Sequence, residues 1–290
     1  MPLAPTGELV AAATAARGAV AAFNVITLEH IEAVIAGAES VDAPVVLQVS
    51  ENAVKFRHGR LLPLARAAAE AAARAAVPVA LHLDHVRSDD LLRQAPLAGF
   101  SSVMYDGARL PYQANLAATR AAADWAHAQG LWIEAELGQI GGKSGEPPTD
   151  PHAPGARTDP GEAAAFVTDS GVDALAVAIG STHAMTTRTA ALDHALLKRL
   201  NSALDVPLVL HGSSGLPDEE LTAAVAGGIA KINIGTALNA ALTGAIREHL
   251  AAHPAAVDSR SYLGVGREAM AQAVARLLTV LGQAGAPPIS

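Results

Sequence analysis

Val79–Ala80–Leu81–His82–Leu83–Asp84–His85 is the stretch whose reading decides the fold. Its apolar start has the length and character of a buried strand, and its end crowds a carboxylate and two imidazoles where a barrel enzyme holds its chemistry. Working outward, seven further runs share the same character. The eight predicted strands are Val20–Asn24, Val45–Val49, Val79–Leu83, Ser101–Tyr105, Trp132–Glu136, Ala174–Ile179, Pro207–His211 and Ile229–Ile234. Between them lie segments rich in Ala, Leu, Arg and Glu, notably Leu28–Val41, Leu61–Ala76, Pro111–Gln129, Leu192–Ala203 and Thr236–Ala252. These are good helix formers. Ser88 before Asp89–Asp90, and Asp218–Glu219–Glu220 after Pro217, read as helix starts, while Gly37, Gly130 and Gly171 read as kinks or helix ends. The alternation predicts an α/β chain forming a single (β/α)8 TIM barrel over residues 1–290, with an extra N-terminal helix near Pro5–Ala16 and C-terminal helices at Arg267–Leu281. A doubly wound open sheet is the competitor. The barrel is favoured because nearly every strand ends in a reactive or binding group: Asn24, Ser50, Asp84 with His85, Asp106, Glu134 with Glu136, His183, His211 and Asn233.

Composition excludes several function classes. The 290 residues are 51% hydrophobic and carry a formal net charge of −8, the reverse of a nucleic-acid footprint. There are no cysteines, so disulfides and thiolate ligands are ruled out. No apolar stretch reaches the roughly 20 residues of a membrane span, and Met1 to Val20 lacks the build of a signal peptide. A cytoplasmic protein with no membrane or nucleic-acid partner is expected.

His85, His183 and His211 each follow a predicted strand. Three imidazoles and one open position make a catalytic site for a borderline-soft cation such as zinc, whereas structural zinc sites are closed. His82 could lie beneath that site or ligate directly. His30, His58, His127, His152, His194, His249 and His253 read as surface side chains. Glu134 and Glu136 share a strand face, so something positive must meet them: a cation, or Lys231 or an arginine. Asp106 either supports a ligand, occupies a second cation position, or simply forms an Asp–Gly turn. His211–Gly212–Ser213–Ser214–Gly215 and Asn233–Ile234–Gly235–Thr236 follow the last two strands, where barrels commonly cradle a phosphate.

Five of these segments, in collinear order, resemble the class II ketose-bisphosphate aldolases, the zinc-dependent fructose- or tagatose-bisphosphate aldolases. They are Leu81–His85, Glu134–Ala135–Glu136–Leu137–Gly138 with Gly141–Gly142, Ala176–Gly180 leading to His183, Val209–Gly212, and Lys231–Ile234. The resemblance implies that His85, His183 and His211 hold Zn²⁺ and that Asp84 is the catalytic acid/base. It implies that Glu136 and Asp106 hold an alternative or second position for a divalent or monovalent cation. Asn24, Ser50, Gly212, Ser214, Asn233 and Thr236 would contact a sugar-phosphate substrate, with Asn233 also bonding the enediolate. A homodimer or homotetramer is implied as well. The chain departs from the family pattern after the paired glycines, where Lys143 and Ser144 replace acids and Glu146 becomes the nearest candidate for the loop proton donor, within a lid-like Gly141–Pro160. It departs also at Ala184, Gly235 and Asp258–Ser259–Arg260. A Schiff-base aldolase would need Lys231, the one lysine in a predicted strand. A non-catalytic sugar-phosphate-binding barrel would not need the metal constellation.

Overall fold

Parallel strands, each hydrogen-bonded to the next in sequence and the eighth to the first, close into a barrel in the computed structural model, which describes residues 3–138, 140–141 and 156–282. They are β1 (Val20–Asn24), β2 (Val45–Ser50), β3 (Val79–Val86), β4 (Ser102–Tyr105), β5 (Trp132–Leu137), β6 (Ala174–Val177), β7 (Leu208–Leu210) and β8 (Ile229–Ile234). All eight predicted runs are strands. β3 extends three residues beyond its predicted end, and β6 and β7 are shorter than predicted because their last residues leave the ladder to build loops. The crossover from β5 to β6 carries a helix, Pro160–Ser170, that the sequence reading did not mark. A single helix, Ser259–Val280, replaces the shorter C-terminal ones, its start capped by the Asp258 carboxylate on the Arg260 N–H.

Strand alternation sorts the side chains into two layers. Phe23, Leu47, Leu81, Val103, Ile133, Leu175, Leu210 and Ile232 face outward into the apolar layer beneath the helices. Ala22, Val46, Ala80 and Ala230 point the other way, and helix Thr6–Ala15 fills the space they leave with Leu9 and Val10. Small inward residues and one plugging helix thus close one end of the barrel. Further along the strands the interior turns polar, with Gln48, His82, Ser102, Glu134 and Lys231 all buried. Such a layer is stable only if its members satisfy one another.

Gly37 is neither a kink nor a helix end. It lies inside helix Leu28–Ser40, where helix Ser259–Val280 approaches so closely that a Cβ would stand 2.5 Å from the Ala271 carbonyl oxygen and 2.7 Å from Val274 Cβ. Gly130 and Gly171, by contrast, end elements in the left-handed region. His30 is a second correction: it is buried, with Nδ1 3.0 Å from Thr27 Oγ1 and Nε2 3.1 Å from Asn239 Oδ1. A polar residue on the inward face of an amphipathic helix is buried when the neighbouring helix offers it partners.

His82 is fully buried, its Nδ1 2.8 Å from Ser102 Oγ, which in turn donates to Thr6 Oγ1 at 2.6 Å. Burial, reinforced by the Lys231 charge, pushes its pKa down to about 3.

Two predictions follow from this packing. In an exposed helix Gly→Ala stabilises, but Gly37→Ala should destabilise by about 1–3 kcal/mol through overpacking, measured by denaturant unfolding. The unfolded chain holds the His82 proton up to pH 6.5 and the native chain does not, so stability falls as pH drops from 6.5 toward 3. Between pH 7 and 5 the parent protein should lose about 2 kcal/mol more than His82→Gln; equal slopes in the two proteins would contradict the assignment.

Candidate metal and substrate site

Asp84 and His85 are consecutive, so a regular strand would send them to opposite faces. The chain avoids this with a bulge. Leu83 pairs with Val103 but Val86 pairs with Tyr105, so three steps on β3 match two on β4. The extra residue is His85, at φ 51°. Left-handed backbone in a non-glycine residue costs on the order of 1 kcal/mol or more and concentrates at functional sites. Here it lets the carboxylate and the imidazole reach one cleft.

His211 follows β7 directly and is followed by Gly212 at φ 66°. A Cβ at Gly212 would lie 2.6 Å from the Thr182 backbone, so glycine is what permits the β6 and β7 loops to touch. That contact brings His183 to His211, and the His183 N–H is held on the Gly141 carbonyl at 2.8 Å. The three rings form an edge-to-face triangle: centroids are 4.9 Å apart for His85–His211, 5.2 Å for His85–His183 and 5.8 Å for His183–His211. Together with Glu136 from β5, each offers one ligand atom, and all four atoms lie within 4.8 Å of one another.

The donor set fits a cation. Nδ1 of His211 is buried without a hydrogen bond, as is Oδ1 of the adjacent Asp84. His211 Nε2 is 2.7 Å from Glu134 Oε1, so with the proton on that side Nδ1 presents its lone pair to the cluster. His85 Nδ1 likewise sits 3.0 Å from Asp106 Oδ2, which turns Nε2 inward. Asp106 therefore stands behind the cluster rather than in it, its Oδ2 also accepting from Arg87 Nε at 3.1 Å and Nη2 at 3.0 Å. Glu134, too, is not a ligand: its other oxygen accepts from Lys231 Nζ at 2.8 Å, the second of the two explanations open for that carboxylate.

Burial opposes charge on Asp84, but the imidazoles of His85 and His211, then His82 and Lys231, outweigh it and hold the carboxyl below its ordinary value. Asp84 is thus held as the carboxylate. Burial also opposes charge on His211, yet Glu134 and Glu136 push it up to about 9, so a proton and a cation would compete for Nδ1.

Asn24, Gly212, Ser213, Ser214, Asn233, Gly235 and Thr236 all line the cleft beside the cluster. Ser214 Oγ accepts from the Ala237 N–H at 3.1 Å, joining the β7 turn to the first turn of helix Thr236–Ala252. Two expected contacts fall elsewhere. Ser50 caps helix Glu51–Phe56 through the Ala53 N–H, and Ile234, one residue on from the inward Asn233, points into the outer apolar layer. Glu146, Lys143 and Ser144, with the rest of residues 142–155 of the lid-like segment, lie outside the described residues. Ala184, marked as a departure in the sequence, lines the cleft too, as do Gln48 and Asn239, which the sequence reading missed. Gln48 had a signal: it is the one polar residue within the apolar run Val45–Val49.

The sequence matches the family described as "Fructose-bisphosphate aldolase class-II" over residues 4–286. The YdjI aldolase from Escherichia coli K12 is 31% identical, with a TM-score of 0.84 covering 98% of this chain and 100% of that one. A Coccidioides immitis protein provisionally assigned as a fructose-1,6-bisphosphate aldolase is 30% identical, with a TM-score of 0.85 and 96% of each chain covered. The fructose-bisphosphate aldolase from Campylobacter jejuni shares the fold at 23% identity, with a TM-score of 0.83 over 98% of this chain and 97% of that one. The chain belongs to the class II fructose-bisphosphate aldolase family and is a lyase.

Proposed function

We propose that the protein is a zinc-dependent ketose-bisphosphate aldolase. It would reversibly cleave a substrate such as fructose 1,6-bisphosphate or tagatose 1,6-bisphosphate to dihydroxyacetone phosphate and glyceraldehyde 3-phosphate. One observation above all supports this: His85, His183, His211 and Glu136 converge at one point, beside an ionised Asp84 and next to a turn-rich cleft. His85, His183 and His211 would hold Zn²⁺, with Glu136 as an alternative ligand, and the ion would supply Lewis-acid polarisation of the ketose C2 oxygen.

The protein's own groups do the rest. The Gly212–Ser214 turn and Gly235–Thr236, at the positive end of a 17-residue helix, take the phosphate of the ketone half. That fixes the ketose along the cleft with its C4 hydroxyl toward Asp84. Asp84 Oδ1, which has no hydrogen bond of its own, accepts the C4 hydroxyl proton as the C3–C4 bond breaks, and returns it in condensation. The electron pair left on the ketone fragment spreads to oxygen, where the Asn233 amide donates a hydrogen bond. Among the described residues no helix is long and apolar enough to cross a membrane.

Chelation gives the first test. A cleavage assay over ketose mono- and bisphosphates should find turnover that EDTA abolishes and added Zn²⁺ restores; a purified chain without a divalent ion, cleaving equally well in EDTA, would reject the metal. Asp84→Ala should lower kcat by about 10²–10⁴-fold, the usual range for a lost general base, with the metal content per chain unchanged. Normal turnover in that variant would remove Asp84 from the mechanism.

A further inference from the structure

Lys231 is fully buried inside the barrel, and the reaction as read above gives it no task. Its ammonium has an acceptor for each N–H: Asn233 Oδ1 at 2.7 Å, Glu134 Oε2 at 2.8 Å and Gln48 Oε1 at 3.4 Å. An ammonium only donates, whereas a primary amide has a donor end and an acceptor end of nearly equal shape. Beside Lys231 the choice of end is forced. A flipped Gln48 or Asn233 would set its NH₂ against NH₃⁺ among buried side chains.

The forced choice propagates. With Gln48 Oε1 on the lysine, Gln48 Nε2 must face outward, where it donates to Asn24 Oδ1 at 3.2 Å. That fixes Asn24 in turn, and its Nδ2 donates to Asp84 Oδ2 at 3.3 Å. One oxygen of the base is thereby occupied, and Oδ1, which has no partner, is the one left for a substrate proton. On the other branch, Asn233 Oδ1 on the lysine leaves Nδ2 as the end toward the cleft; it lies 3.0 Å from His211 Nε2, whose proton goes to Glu134, so Nδ2 donates nothing there and its N–H groups remain for a substrate oxygen. Glu134, held by the same lysine, takes the proton side of His211 and leaves Nδ1 facing the ligand cluster.

We propose that Lys231 is a positioning residue: its donor-only ammonium sets the polarity of two amide relays, one through Gln48 and Asn24 to Asp84, the other through Asn233 to the substrate oxygen. The inference rests on the aldolase reading and adds a polarity switch inside the barrel to it. The two relays serve different halves of the reaction. The Asp84 branch handles the C4 hydroxyl in carbon–carbon cleavage. The Asn233 branch handles the charged oxygen of the ketone fragment, the half in which that fragment's C3 proton exchanges with solvent and in which the C4 hydroxyl takes no part.

The double variant Lys231→Met with Glu134→Gln removes the ammonium without stranding a buried carboxylate, and a glutamine carbonyl can still accept from His211. Assayed with fructose 1,6-bisphosphate and tagatose 1,6-bisphosphate, it should keep its bound metal and its KM within a few-fold. Its kcat for cleavage, and its rate of deuterium exchange into dihydroxyacetone phosphate, should both fall by roughly 10–100-fold, the usual effect of losing an outer orienting group. Gln48→Met, with Lys231 in place, cuts one relay only: cleavage should fall about tenfold while exchange stays within about twofold of the parent. Retained kcat in the double variant, loss of its metal, or an equal fall of cleavage and exchange in Gln48→Met would each overturn the relay. Should the double variant fail to fold, the Gln48→Met comparison still decides. A parent inactive on every ketose phosphate overturns the aldolase reading and this inference with it, whereas an active parent with an indifferent double variant overturns only the role of Lys231.

Discussion

The ion pair between Glu134 and Lys231, sealed inside the barrel, is the constraint on which the site is built. Two unlike charges out of water gain only if their remaining hydrogen-bonding capacity is met. It is met here by groups of the candidate site: Glu134 by His211, and Lys231 by Asn233 and Gln48. Burial opposes charge on Glu134, but Lys231 and then His211 hold it well below its ordinary pKa. The pair fixes two side chains at the cleft and keeps a carboxylate ionised to receive the His211 N–H. Stability and preorganisation share the same hydrogen bonds, so the polar layer cannot be replaced by apolar packing without dismantling the site.

Above that layer the backbone itself is bent to purpose. Period-two alternation makes a barrel economical, because outward residues pack on helices and inward ones fill the interior. It also forbids adjacent residues from sharing a face. The left-handed His85 breaks the rule once, at the strand end where the site needs both Asp84 and an imidazole. Asp106 and Arg87 hold the displaced ring from behind, so the strain is offset by a charged hydrogen-bond network rather than left as local flexibility.

The strands were legible in the sequence because buried parallel strands are short apolar runs bounded by polar ends, and the three histidines were legible because each sits just past such a run. What escaped the sequence depends on separations a linear reading does not hold. His30 was read as a surface residue because its partner Asn239 is 209 residues away. Gly37 looked like punctuation because the helix it admits begins at Ser259. Ser50 looked like a binding group because a strand-end hydroxyl reads the same whether it meets a ligand or caps the next helix. The helix Pro160–Ser170 was hidden by the Gly- and Pro-rich stretch before it. For Asp106 the sequence left three readings and for Glu134 two; the structure sets Asp106 against His85 Nδ1 and pairs Glu134 with Lys231, since only coordinates say which atom a carboxylate faces.

The same geometry separates two ways of cleaving a ketose. A Schiff-base enzyme needs a lysine nitrogen with a free lone pair and room for a carbonyl carbon to approach it. Lys231 offers no such room: three acceptors, one of them the Glu134 carboxylate, surround its nitrogen inside the barrel. Among the described residues the strand lysine is thus committed to side-chain acceptors. Under the proposed reading the carbanion would be stabilised from outside a covalent frame, by a cation that His85, His183 and His211 would hold beside Asp84.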